Sequence, residues 1–167
     1  ELLAVETARP RGPLVLVFPT HAFTAPWPVL RFLWRLPRQE GPEALVIACR
    51  AGWTIGPWLM PGLEGTAAWL CALLLRLKGY RVRGALGLDM PSNWTAVHWG
   101  LSDGNVARIS AAAKAKLEAF LAAPRFTGGL SFFFGLLLVP VSLLYLVMGR
   151  FFLAKLFFAS HRCTGCG

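Results

Sequence analysis

The hydrophobic positions of the chain fall into short continuous runs that are separated by longer segments of helical periodicity. Residues 13–19 (PLVLVFP) and 44–49 (ALVIAC) are apolar throughout and rich in branched side chains. Residues 80–88 carry Arg81 and Arg83 near their start and then turn apolar. Because these runs lack polar alternation, they predict strands that are buried on both faces, as in a parallel sheet.

Helical patterns follow each of these runs. Residues 27–36 predict a short helix, and residues 66–78 predict a helix that is apolar almost all round and ends at Gly79, a favoured helix-ending residue. Residues 105–122 carry apolar side chains on one face only. The alternation of strand and helix predicts an α/β fold, with an open parallel sheet and helices on both of its faces.

The loops after the predicted strands are the expected place for a small-molecule site, because ligands bind beyond the carboxyl ends of strands in such sheets. These loops are residues 20–26, 50–57 and 89–102. Phe23 and Trp27 flank the first loop, and Trp53 and Trp58 flank the second. Aromatic rings in this position suit a flat apolar ligand such as a flavin ring, and ordinary packing is the alternative reading.

A long uncharged segment follows the last predicted helix of the sheet. Residues 130–148 form 19 consecutive uncharged positions, close to the ~20 that span a bilayer as a helix. Three readings are open: a transmembrane helix, a kinked or re-entrant pair broken near Pro140, or a long helix packed on the sheet. Basic residues lie on both sides of the hydrophobic segment and interrupt its later part, which favours association with an anionic cytoplasmic membrane face.

Composition and charge narrow the possible partners. The chain is 56% hydrophobic and 15% charged, which excludes an intrinsically disordered protein. Seventeen Lys and Arg against eight Asp and Glu give a net charge of +9, compatible with nucleic acid or an anionic membrane. The basic group between Arg76 and Arg83 lies at a predicted helix-to-strand turn, so we expect a solvated surface and no nucleic-acid binding.

The most specific motif is the terminal Cys163-Thr164-Gly165-Cys166-Gly167. Two thiolates at this spacing can hold one metal centre, and the following glycine favours an iron–sulfur cluster over the alternatives, a zinc knuckle or a redox dithiol. Cys49 and Cys71 lie in apolar runs and are expected to be small buried side chains. Four cysteines in a chain of this length indicate a reducing compartment. The loop histidines, His21 and His98, lack metal-ligand spacing.

The order of these parts resembles that of flavodoxin–ferredoxin fusion proteins, a bacterial ferredoxin family with an N-terminal flavodoxin-like region. Residues 17–23 (VFPTHAF) with Pro26 resemble the flavin loop after the third flavodoxin strand. Residues 50–53 (RAGW) fall at the next flavin loop, residues 90–94 (MPSNW) follow the fifth strand, and the Cys-x-x-Cys-Gly motif comes last. The flavin-phosphate loop of such proteins, rich in Ser, Thr and Gly, has no counterpart in this sequence.

The resemblance implies a flavodoxin-like domain over residues 1–123, a hydrophobic segment over 124–160 and the start of a ferredoxin module over 161–167. It implies electron transfer involving FMN and a [4Fe-4S] cluster, with redox proteins as partners, at the cytoplasmic face of the inner membrane. Cys163 and Cys166 would ligate the cluster. The implied flavin-loop residues are Thr20, His21, Phe23, Ala51, Gly52 and Trp53.

Two other functions stay open at this point. One is a flavin-dependent reductase of quinones or similar acceptors, and the other is a membrane-tethered binding module whose flavodoxin-like domain has lost its flavin. An electron carrier is favoured over a stand-alone enzyme. Because the chain begins at Glu1 and stops inside an incomplete cysteine motif, we expect it to be a piece of a longer protein.

Overall fold

The computed structural model describes residues 12–92 and 102–152. The elements of these residues alternate in the predicted way up to the third long helix. In chain order they are β1 (Leu14–Pro19), α1 (Trp27–Arg35), β2 (Glu43–Ile55), β3 (Trp58–Met60), α2 (Ala67–Leu77), β4 (Arg81–Pro91), α3 (Asp103–Ala122), α4 (Gly129–Leu137) and α5 (Val139–Phe151).

Strand β2 is the centre of an open, mostly parallel sheet. It pairs in parallel with β1 on one side, where Leu16 faces Val46, and in parallel with β4 on the other, where Val46 faces Ala85. The far end of β2 turns back into the short antiparallel strand β3. The predicted α/β class is therefore confirmed, with a four-stranded sheet in the described part of the chain.

Helices lie on both faces of this sheet, as predicted, but β1 is not buried on both faces, because Val15 and Val17 are exposed on the α3 side. On one face α1 and α2 bury Leu33 and Leu75 against alternate residues of the strands, including Val46. On the other face α3 packs Phe120 against Ile47 and its neighbours. These two apolar layers pack the sheet into the core of the fold, and the sheet positions the loops at its carboxyl end.

Two of the predicted loops are partly strand. Residues 50–57 were expected to form a loop, but β2 continues through them to Ile55 and pairs with β3 around a turn at Gly56. Strand β4 likewise runs on to Pro91, into the expected loop 89–102. The reason is pairing: Arg50 to Gly52 align with Asp89 to Pro91 across the ladder, so both strands extend together beyond their apolar cores.

Of the three readings of residues 130–148, neither the single transmembrane helix nor the single long helix packed on the sheet matches the structure. The described residues contain no individual helix that is both long and apolar enough to cross a membrane, whereas Gly129–Leu137 and Val139–Gly149 meet that test jointly, with a bend of 70° between them. Pro140 explains the break, because it has no amide proton and its ring would collide with the carbonyl of Leu136 in a continuous helix. The kinked pair is therefore the reading that matches, and we call α4 and α5 the apolar helix pair.

The apolar helix pair is joined to the sheet by the residues that precede it. Phe126 bridges to Ala85 beside β4, and the amide of Thr127 donates to the Ala85 carbonyl at 2.8 Å. Inside α4, the hydroxyl of Ser131 accepts hydrogen bonds from the amides of Glu64 and Gly65, each at 3.1 Å. The hydrophobic segment is thus anchored to the carboxyl end of the sheet.

Candidate functional site

Four charged side chains from four parts of the fold meet at the carboxyl end of the sheet. Arg50 comes from β2, Asp89 from β4, Lys116 from α3, and Glu64 from the connection between β3 and α2. We call this group the Arg50 cluster. The side chain of Glu64 is 0% exposed and that of Arg50 is 9% exposed, so the centre of the group is removed from water.

The Arg50 guanidinium is the hub of the cluster. Its Nε donates to Asp89 Oδ1 at 2.7 Å and its Nη2 donates to Asp89 Oδ2 at 3.2 Å, a bidentate pair. Its Nη1 donates to Glu64 Oε2. Lys116 Nζ donates to Asp89 Oδ2 at 2.8 Å, and the amide of Gly62 donates to Asp89 Oδ1 at 2.9 Å.

The electrostatics of the cluster follow from this bonding. Burial by itself would raise the pKa of Asp89, but the hydrogen bonds and charges of Arg50 and Lys116 outweigh burial and hold the pKa of this carboxyl below its usual range. Burial likewise disfavours the charged Arg50, yet its bonds to Asp89 and Glu64 leave its pKa above the ordinary value. Both groups are therefore charged throughout the physiological pH range.

The second oxygen of Glu64 has no hydrogen-bond partner within the described ranges. It faces Gly128, and the backbone of Gly87 lies against the same carboxylate, so two glycines leave the room that this side chain occupies. A buried carboxylate with one oxygen bound to arginine holds in place the segment to which it belongs, here the connection between β3 and α2. The cluster thus holds residues 61–66 down onto β2 and β4.

The first predicted flavin loop, residues 20–26, lies at the carboxyl end of the sheet, but its backbone is hydrogen-bonded to other parts of the protein. Thr20 donates its amide to the Cys49 carbonyl at 2.7 Å, and Phe23 accepts at its carbonyl from the amide of Thr66 at 2.9 Å. The ring of His21 stands at 86° to that of Tyr145, with centroids 6.4 Å apart. The apolar helix pair and the start of α2 therefore both contact this loop, while His21 stays exposed.

The second predicted group lies on an extended strand and not on a loop. Ala51 and Gly52 pair with Met90 and Pro91 of β4, and Trp53 pairs with Met60 of β3. The Trp53 side chain is 43% exposed. Together with Gly52 it lines a small cavity of about 110 Å³ on the α3 side of the sheet, beside the carboxylate of Asp89 and the amine of Lys116.

Residues 61–66 contact both groups. A side chain at Gly62 would overlap the carbonyl oxygen of Ala51, and one at Gly65, where φ is +57°, would overlap the carbonyl oxygen of Phe23. Trp53 lines the small cavity on the α3 side of the sheet, and Phe23 does not line it. This arrangement does not fit a flavin ring held between the two groups, so no flavin contact is assigned to them.

A larger cavity lies on the other side of the first loop. It is a groove of about 530 Å³ between α2 and the apolar helix pair, within the range of about 300–1,000 Å³ that is typical of small-molecule sites. Its walls are mostly apolar, and Thr24, Thr66 and Ser142 are its few hydroxyl-bearing residues. We call this cavity the α2 groove.

The predicted cluster ligands Cys163 and Cys166 lie outside the described residues, as do His98, Asn93 and Trp94. Within the described ranges, no three His, Cys, Asp or Glu side chains are grouped to hold a metal ion. Cys71 is fully buried, and burial raises the pKa of its thiol to about 12. Burial also raises the pKa of the partly buried Cys49. These two thiols are therefore poor nucleophiles and poor ligands.

Glu64, Asp89 and Lys116 were not predicted as site residues from the sequence, and Arg50 was predicted only as part of a loop. A signal was present, because Glu64 is the single acidic residue between Glu43 and Asp89 in a stretch that is otherwise apolar or basic. A lone acid in such a stretch is a candidate for a buried partner of a nearby arginine.

Comparisons of the chain with protein-family models, with curated proteins and with solved structures found no match.

Replacing Arg50 by methionine is expected to lower the free energy of unfolding by about 3–5 kcal/mol, because Glu64 is then left as an unpaired, fully buried charge and Asp89 loses its bidentate partner. Urea denaturation at neutral pH measures this loss. Arg83→Met is the matched control: Arg83 is exposed and pairs with Glu43 at 3.8 Å, so its loss should cost about 0–1 kcal/mol. Equal losses in the two variants would show that the Arg50 cluster does not hold the fold.

The lowered pKa of Asp89 gives the cluster a defined pH dependence. Its stabilising effect is complete above the unfolded value of about 3.9 and is lost as the pH falls through the lower folded value. Asp89→Asn should therefore be less stable than the natural protein at pH 7, and the difference should shrink below about pH 4. Urea titrations at several pH values test this, with the exposed Asp103→Asn as control. A difference that stays constant down to pH 2 would contradict the assignment.

Proposed function

We propose that this chain is part of a membrane-associated electron-transfer protein, in which a flavodoxin-like α/β domain is joined through the apolar helix pair to a ferredoxin-type iron–sulfur module. The observation that carries the proposal is the docking of α5 on the carboxyl end of the sheet. There the Ser142 hydroxyl donates to the Ala22 carbonyl at 2.7 Å, and Tyr145 contacts His21. The segment that leads to the cysteines thus starts from the ligand-binding end of an α/β sheet.

The flavodoxin-like assignment rests on strand order. The three parallel strands lie side by side in the order β1, β2, β4, with α1 and α2 on one face and α3 on the other. This is compatible with the last three strands of a doubly wound flavodoxin-like sheet. The long edge of β1 pairs with no strand in the described residues, which is compatible with further strands on that side.

The iron–sulfur assignment rests on the donor set of the terminal motif. Cys163 and Cys166 provide two thiolates at ferredoxin spacing, and a cubane cluster needs four ligands. A bound cluster would supply one-electron chemistry, and this chain's residues would supply two of its ligands. Ten residues lie between Phe152 and Cys163, so an extended chain spans at most about 40 Å between these two residues.

The proposal of flavin binding concerns the full-length protein. A flavodoxin-like domain binds the flavin phosphate through backbone amides of a Ser-, Thr- and Gly-rich loop that this sequence does not contain. Of the candidate residues, Phe23 is hydrogen-bonded to the start of α2, Thr20 is hydrogen-bonded to β2, and the exposed His21 lies edge-on to Tyr145 of α5. FMN is therefore proposed for the full-length protein only.

The membrane assignment rests on the outer surface of the apolar helix pair. Only one stripe of these helices, including Ser131, Gly135 and Ser142, is buried against the domain. The remaining surface exposes large apolar side chains, a contiguous patch of the kind that marks a membrane or protein interface. The most exposed of them are Leu130, Phe133, Leu137 and Leu144.

The natural full-length protein, purified without oxygen, should contain about four iron and four acid-labile sulfide ions per cluster. Cys163→Ala and Cys166→Ala should each lose most of the iron, because a cubane lacking one thiolate ligand is labile. Cys49→Ala, which removes a thiol from β2, is the control and should retain the iron. Stoichiometric zinc in place of iron would contradict the iron–sulfur assignment. FMN released from the same samples tests the flavin independently.

Polar substitution of the exposed patch should release the protein from membranes. The double variant Leu137→Asp and Leu144→Asp places two charges on the outer surface, and each costs about 2.5–3.5 kcal/mol at the centre of a bilayer. Flotation with vesicles that contain phosphatidylglycerol should show membrane binding reduced by more than about tenfold. Leu77→Asp, which changes an exposed leucine of α2, should float like the natural protein. Unchanged flotation of the double variant would contradict the assignment of this surface.

A further inference from the structure

The α2 groove has the dimensions of a site for an extended molecule. Its floor is one face of α2, from Thr66 through Leu70 and Leu73 to Arg76, and positions that recur every three or four residues share one face of a helix. Ten residues of helix span about 15 Å. The opposite wall is formed by the apolar helix pair through Leu136 and other side chains.

The two ends of this groove differ in chemistry. At the α2 start, the hydroxyls are occupied within the protein: Thr66 Oγ1 donates to the Phe23 carbonyl at 3.3 Å, and Ser142 Oγ donates to the Ala22 carbonyl at 2.7 Å. At the other end stands the guanidinium of Arg76, 4.7 Å from the ring centroid of Phe126. No carboxylate in the described ranges forms an ion pair with Arg76, so one end carries an available positive charge.

The middle of the groove offers no polar partner to a ligand. The indole nitrogen of Trp69 donates to the Thr127 carbonyl at 3.2 Å, so that its ring is left as an apolar wall. This ring packs on Phe126 and on Phe132 at centroid distances of 5.1 and 5.4 Å. Leu73 lines the groove and is 54% exposed, which leaves the apolar surface open to a ligand.

We propose that the α2 groove binds a long-chain carboxylate, with the alkyl chain along α2 and the carboxylate paired to Arg76. An elongated apolar wall buries a methylene chain at about 0.8 kcal/mol per CH₂. The guanidinium of Arg76, which is exposed at its end of the groove and lies over the Phe126 ring, recognises the carboxylate through charge-assisted hydrogen bonds. Charge complementarity at one end and apolar walls elsewhere fit an anionic amphiphile better than a neutral one. The site goes beyond electron transfer and depends neither on the cysteines nor on a flavin.

Bromine-labelled laurate is a direct probe, because bromine quenches tryptophan fluorescence on contact and Trp69 lines the groove. Titration of the natural full-length protein, in buffer free of detergent micelles, should give saturable quenching with a stoichiometry of one. Trp69→Phe should remove that saturable component. Arg76→Gln should weaken laurate binding by about tenfold, since it removes one charge-assisted pair.

Two matched controls separate the groove from general surface effects. Leu73→Trp fills the groove and should reduce binding, whereas Leu77→Trp on the same helix is 63% exposed outside the groove and should leave it unchanged. Arg83→Gln removes an exposed charge elsewhere and should also leave binding unchanged. Circular dichroism and thermal unfolding check that each variant is folded.

Three results would overturn the proposal: no saturable quenching of the natural protein, equal affinity of the Arg76 and Arg83 variants, or binding of dodecanol as tight as that of laurate. Saturable quenching by brominated phospholipid in vesicles without any by laurate would also overturn it, since the ligand would then be a bilayer lipid. Because none of these readouts involves iron or flavin, failure here leaves the electron-transfer proposal standing.

Discussion

The bidentate bond between Arg50 and Asp89, with Glu64 as the third member, is the interaction on which the carboxyl end of this fold depends. Taking a guanidinium and a carboxylate out of water costs several kcal/mol for each ion, and only close pairing with complete hydrogen bonding offsets that cost. Arg50 meets this condition with bonds to two carboxylates. Lys116 supplies the further positive charge that Asp89 needs.

The position of residues 61–66 follows from this cluster, and the positions of the neighbouring elements follow from those residues. The Gly62 amide is held by Asp89, and Glu64 is held by Arg50. The amide of Thr66 then binds the carbonyl of Phe23. The amides of Glu64 and Gly65 bind Ser131 at the start of α4. Through residues 61–66, the Arg50 cluster is thus linked to the first loop, the start of α2 and the apolar helix pair.

The sequence predicts the elements whose burial is uniform and fails where pairing or a tertiary partner decides. Val46 and Ile47 lie in a run with no polar position, and such a run has few alternatives to a buried strand. The continuation of β2 to Ile55 has no such pattern, because it depends on alignment with β4 and on the turn at Gly56. The break in residues 130–148 was foreseeable from Pro140, but its 70° bend reflects packing against Gly65 and Thr66.

The candidate site was less predictable than the fold for the same physical reason. The sequence shows the side-chain chemistry of a residue such as His21 or Trp53, but it does not show which residues lie beside it. Those neighbours come from distant segments: Tyr145 beside His21, and α3 beside Trp53. The Arg50 cluster joins residues up to 66 positions apart, so no local pattern reveals it.

The same insertion of residues 61–66 that separates Phe23 from Trp53 also divides the ligand-binding end of the sheet into two unequal spaces. The charged cluster and the small cavity beside Trp53 lie towards α3. The large apolar α2 groove lies on the opposite side, where Ser131 and Ser142 fasten the apolar helix pair. The Arg50 cluster therefore fixes residues 61–66 on one side of the sheet and leaves space for an apolar ligand on the other side. Glu64 links the two sides, because its carboxylate binds Arg50 and its amide binds Ser131 of the apolar helix pair.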